Sequence, residues 1–162
     1  MSLRKAILAV VVVLAMLAPA SAQASNPYRT VVGVASGEGI VNTATLQVTA
    51  RQTLWLSHIG RGTVEFQAQA TRADGIVRAV GPFTIVTSDG DEITGTGSLV
   101  GVGPTLDVHP VGFIMTITGG TGRFAAARGT LVTAPLVTPR LPFSPPMLFE
   151  KLECAVHGFI DY

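Results

Sequence analysis

The chain has 162 residues, 48% of them hydrophobic and 13% charged, with 11 Lys and Arg against 10 Asp and Glu. That balance supplies no basic stripe to neutralise phosphates, which argues against a nucleic-acid binder. A single cysteine, Cys154, rules out an intramolecular disulfide, so stability has to come from packing and hydrogen bonds.

Arg4 and Lys5 precede an apolar run from Ala6 to Leu17, and the small residues Ala18 to Ala24 follow, broken by Pro19 and Gln23. This is the three-part layout of a secretory signal peptide, predicted over residues 1–24. The run is about a dozen residues, short of the roughly 20 a helix needs to cross a bilayer core, so no stable membrane span is expected. Cleavage after Ala22 or Ala24 fits the small-x-small rule, and the second leaves the polar start Ser25-Asn26-Pro27. The alternative is an uncleaved N-terminal anchor. Without Arg4 and Lys5, residues 25–162 carry 9 basic against 10 acidic side chains, enough chain for one exported domain, periplasmic or extracellular.

The mature chain alternates in twos. Ala44, Leu46, Val48 and Ala50 share one face of a predicted strand, with Thr45, Gln47 and Thr49 on the other. Val64, Phe66, Ala68 and Ala70 do the same against Glu65, Gln67 and Gln69. Val111, Phe113, Met115 and Ile117 form a third apolar face, and Leu152, Cys154 and Val156 a last one, which places the Cys154 thiol inward. Shorter strands are expected over residues 30–35, 76–80, 83–87, 93–100 and 129–133. Ala73-Asp74-Gly75, Ser88-Asp89-Gly90-Asp91 and Gly101-Val102-Gly103-Pro104 punctuate them as tight turns. Only residues 124–127 suit a helical turn. Seven to nine short, mostly antiparallel strands predict an all-β domain, a sandwich or, better, a barrel of about eight strands that leaves no exposed edge. Residues 134–148 break the rhythm with five of the ten prolines and are expected to form an extended, unpaired loop. It could lie across a barrel mouth, against the outer wall, or against another copy of the chain.

Gly119-Gly120-Thr121-Gly122-Arg123-Phe124-Ala125 contains a G-x-G-x-x-A pattern, but Gly129 stops any helix that would receive a pyrophosphate. As a hairpin the segment works better, with Phe124 plugging a barrel end. Together with Ala127-Arg128-Gly129 it resembles the late hairpin of the dirigent protein and allene oxide cyclase barrel superfamily, and in particular small exported bacterial members of unknown function. Ser57-His58-Ile59-Gly60-Arg61-Gly62 and Asp89-Gly90-Asp91-Glu92-Ile93 are also similar to segments of those proteins. The resemblance implies an eight-stranded antiparallel barrel with an apolar interior, trimeric in many plant members. It carries over no catalytic residue.

His58, His109 and His157 lie far apart and fit no metal-ligand spacing, and no serine stands in a nucleophile elbow, so neither metal nor cofactor is expected. His58 follows Leu54 and Leu56 in phase, which would turn it inward near a barrel end; the commoner role for such a histidine is to cap a strand end by hydrogen bonding to backbone. His109 should lie in a loop and His157 should face solvent. Asp89, Asp91 and Glu92 form an acidic hairpin tip, which could also hold calcium weakly. The candidate ligand contacts on the inner face are His58, Phe66, Phe113 and Met115. Three functions fit: a non-enzymatic exported barrel binding a small apolar molecule or a protein partner, an isomerase or cyclase working inside the same apolar cavity, and a structural envelope protein with a filled core. The first is preferred because the inner face gathers no convergent polar groups.

Overall fold

The computed structural model describes residues 28–42, 44–102, 109–137 and 147–162. The expected signal peptide, residues 1–24, and residues 138–146 of the Pro-rich stretch lie outside them. Eight strands follow one another: β1 (Arg29–Asn42), β2 (Gln47–Leu56), β3 (Gly60–Ala73), β4 (Ile76–Thr87), β5 (Glu92–Val102), β6 (His109–Gly120), β7 (Arg128–Val137) and β8 (Met147–Asp161). Each pairs antiparallel with the next, and β8 returns to β1, so the sheet closes into the expected eight-stranded barrel. The closing ladder runs the whole of β1, from Arg29 opposite Ile160 to Asn42 opposite Met147.

Period-two patterning does what it should. Val64, Phe66, Ala68 and Ala70 are buried while Glu65, Gln67 and Gln69 are exposed, and Leu152, Cys154 and Val156 are buried together. Each large apolar side chain taken inside contributes about 1.5–3 kcal/mol. Arg51, Glu65 and Arg78 stand outward, and so do Val32, Val34, Trp55, Val80 and Phe159, so the wall is apolar inside and mixed outside. Among the described residues, no helix is long and apolar enough to cross a membrane.

The β3–β4 hairpin turns on Asp74 and Gly75, with φ of 52° and 74°, the pair of positive angles that a two-residue turn needs. Segments 76–80 and 83–87, expected as two strands, form one. Pairing skips Gly81 and Pro82 but stays in register, with Gln69 opposite Val80 and Phe66 opposite Phe83, because proline removes a donor without displacing the chain. Residues 44–46 belong to a turn rather than to β2: the Asn42 Oδ1 accepts hydrogen bonds from the Ala44 and Thr45 backbone N–H groups, at 3.0 and 3.1 Å, and Leu46 takes φ 56°. The strand instead runs on to Leu56. Part of the Pro-rich stretch is also strand. β7 extends to Val137 with Pro135 opposite Cys154, and the register shifts just beyond it. Met147 and Leu148 pair with Asn42 and Val41. His109, expected in a loop, opens β6 opposite Val102. Val111, expected inside, is exposed, because a register shift beside Gly101 breaks the alternation.

One barrel end is plugged. A 3₁₀ turn over Gly122–Phe124 drops the Phe124 ring to full burial, and the Tyr162 ring lies over it at 4.7 Å. The Tyr162 hydroxyl donates to the His58 carbonyl at 2.8 Å and accepts from the Arg29 guanidinium at 3.1 Å. Arg123 ties the neighbouring hairpins together: it donates to the Ile59 carbonyl at 2.8 Å and lies 3.7 Å from the Asp89 and 3.9 Å from the Asp91 carboxylate. The acidic hairpin tip is thus occupied with holding this arginine.

Candidate functional site

Away from the Phe124 end, in the other half of the barrel, the described residues line a free space. It is a cavity of about 40 Å³ whose walls come from Ala50 and Gln52 of β2, Val64 and Phe66 of β3, Leu99 of β5, Gly112 and Phe113 of β6, Thr133 of β7, and Leu152 and Cys154 of β8. The Phe66 and Phe113 rings meet at 4.7 Å, tilted by 59°. They can do so because Gly97 stands between them: a Cβ there would lie 2.5 Å from the Phe113 ring and 2.8 Å from that of Phe66. Ala50, Leu99 and Phe113 are only partly buried, so the cavity leads toward solvent at this end.

Three polar groups interrupt the apolar wall. Gln52, Thr133 and Cys154 are each at least nine-tenths buried. Burial pushes the Cys154 thiol above its ordinary value of 9.0, and side-chain hydrogen bonds with Gln52 and Thr133 oppose that rise without cancelling it. The thiol therefore stays protonated at neutral pH and is a poor nucleophile. Among the described residues, no fully buried side-chain polar atom lacks a partner, and Gln52 and Thr133 each hydrogen-bond with the thiol.

Of the four side chains expected to contact a ligand, the structure brings Phe66 and Phe113 together on the cavity wall. Met115 is buried in the core below it and does not line it. His58 is a correction. It takes φ 63° in the β2–β3 turn and its side chain is exposed, because the positive φ breaks the phase set by Leu54 and Leu56. Ile59, 1% exposed, takes the inward place instead. His157 faces solvent, as its phase requires. No protein-family model matches the chain, and no curated protein or solved structure does either. Gln52 and Thr133 escaped the sequence reading, although a signal was present: Gln52 keeps phase with Val48, Ala50, Leu54 and Leu56, and Thr133 with Leu131. Among the described residues, no group of three or more His, Cys, Asp or Glu side chains is placed to hold a metal ion.

Proposed function

We propose that this is an exported, non-enzymatic barrel protein that receives the slender apolar end of a small molecule in the half of the barrel away from Phe124. The carrying observation is the cavity between Phe66 and Phe113, open toward one end and walled by apolar side chains, with Gln52 and Thr133 the hydrogen-bonding side chains besides the thiol among the described residues. At about 40 Å³ it has room for one or two waters, well below the roughly 300–1,000 Å³ of sites that enclose a whole drug-sized ligand. The occupant is thus a chain tip or a small substituent, its remainder held outside. That size weighs against a cyclase, which must surround its substrate to position it. Cys154, the titrating group on the wall, is held neutral, and so supplies no acid or base for turnover near pH 7.

The test is to extract the purified protein with solvent and search by mass spectrometry for a stoichiometric copurifying compound, alongside Leu99→Phe. Leu99 lines the cavity and stands opposite inward-facing Phe113 and Ala79, so the larger ring takes up the free space. The wild-type chain should carry a compound that the variant loses while its fold is kept. A filled-core envelope protein is the second reading, favoured by the same small volume. It predicts no compound in either chain and a stability gain for Leu99→Phe.

A further inference from the structure

The outer wall carries a second feature, independent of the cavity. Closure of the barrel leaves no strand edge free, so a partner meets this wall face-on. Where β2, β1 and β8 run side by side, the wall is apolar. Trp55 stands opposite Val34 and Val34 opposite Ala155, while Val32, the next outward position of β1, stands opposite His157. One outward position further, Thr30 lies opposite Phe159, and the Tyr28 ring meets the Phe159 ring edge-on at 5.1 Å. Trp55, Val32, Val34, Tyr28 and Phe159 range from 73% down to 43% exposed. For side chains of these sizes that leaves on the order of 600 Å² uncovered in one patch, the upper end of what a monomer ordinarily shows.

We propose that this face joins two copies of the chain about a two-fold axis. Three observations favour a second copy as the occupant. First, the layout is symmetric about Val32: Trp55 and Phe159 stand one strand to either side of it, one outward position along β1 in opposite directions. A two-fold axis lying in the contact plane at Val32 therefore sets Val32 on its own copy and each Trp55 against the partner's Phe159, the self-complementarity that an isologous contact requires. Second, such a contact turns every charge on the face toward its own like. From Thr30 to Ser36 on β1 and from Ala155 to Phe159 on β8 the outward positions hold no Lys, Arg, Asp or Glu, with His157 the one titratable side chain among them. Arg61, opposite Trp55, marks the edge. A face without a basic cluster gives anionic lipid nothing to hold, and one without charge does not steer in a charged partner. Third, the size fits. A stable pair takes roughly 800 Å² from each partner, about what the patch reaches once Thr30, Ser36 and His157 around it are included. The wall is convex, so only about three neighbouring strands can touch a partner at once, and these three carry the patch.

Trp55 is the chain's only tryptophan, so its emission reports on this face alone. Sedimentation velocity of the purified protein, from low micromolar to a few hundred micromolar, should show a monomer giving way to a dimer, with the emission moving to shorter wavelength in step. Val34→Lys and Trp55→Ala should each weaken pairing at least tenfold, with circular dichroism preserved. Gln67→Lys, which adds the same charge at an exposed position of β3 outside the patch, should pair as the parent does. Val32→Cys, at the axis, should link two copies through one disulfide when oxidised with copper phenanthroline. The proposal is overturned if the parent stays monomeric throughout, if Val34→Lys or Trp55→Ala pairs as the parent does, if Val32→Cys does not cross-link, or if the assembly is a trimer. It is overturned in favour of a membrane contact if a monomeric parent co-sediments with phosphatidylcholine or phosphatidylglycerol vesicles and Val34→Lys abolishes this, and in favour of a different protein if one copurifies stoichiometrically with the monomer and is lost on the same change.

Discussion

Replacing Phe124 by alanine tests the plug directly. The ring is fully buried, and exchanging it for a methyl group removes on the order of 100 Å² of apolar surface, about 2.5–3 kcal/mol. The tilted contact with Tyr162 at 4.7 Å adds roughly 0.5–1.5 kcal/mol, for an expected loss of about 3–5 kcal/mol, within the range found for buried Phe→Ala changes. Against the roughly 5–15 kcal/mol that holds a domain together, such a loss is large. Urea unfolding followed by far-ultraviolet circular dichroism is the suitable assay, because exposed Trp55 is a poor reporter of the core. The same measurement on Tyr162→Ala and on the double variant should show a coupling of at least 0.5 kcal/mol. A loss below about 1.5 kcal/mol for Phe124→Ala, or strict additivity with Tyr162→Ala, would refute the idea that these two rings close the barrel end as a unit.

Three further outcomes follow from the geometry. Gly122→Ala should destabilise by about 1–2 kcal/mol in the same unfolding assay, because Gly122 has φ 52° and a Cβ there would fall 1.8 Å from the Asp91 carboxylate. Gly97→Ala should cost about 1–3 kcal/mol by overpacking, since its methyl group must displace the Phe66 and Phe113 rings. Cys154 should resist iodoacetamide in the folded protein at pH 8 and react once urea unfolds it. Its raised pKa also has a sign: the folded state holds the thiol proton more tightly than the unfolded state does. Stability is therefore unaffected below the ordinary value of 9.0 and declines as pH climbs above it. Melts of the parent and of Cys154→Ala at pH 8 and pH 10 should show the extra decline in the parent alone.

Much of the architecture was legible because a strand's side-chain period is two and a tight turn needs particular residues. The buried faces of β3 and β8 and the Asp74-Gly75 turn follow from those facts alone. Where the reading erred, a local backbone event overrode the period. His58 lost its phase to a positive φ, Val111 to the register shift beside Gly101, and β4 was divided in two because Gly81-Pro82 resembles punctuation although the strand continues through it. The candidate site was legible only in part. Phe66 and Phe113 stand out in sequence, but their meeting depends on Gly97, two strands from Phe66, and nothing in one strand's pattern announces what a distant glycine makes room for. The apolar face around Val34 and Trp55 needs the register between β1 and β2, which pattern alone leaves open.

The pairing of Arg29 with Ile160 joins the first strand of the barrel to the last. A nascent chain can therefore zip up seven hairpin-linked strands as they appear, but β1 and β7 each keep one naked rim until β8 arrives. Folding must then be rate-limited by a highly non-local contact, slow for a protein of this length, and the intermediate is the species most exposed to edge-to-edge aggregation. Truncations that trim β8 should consequently reduce soluble yield far more than their share of the core would suggest.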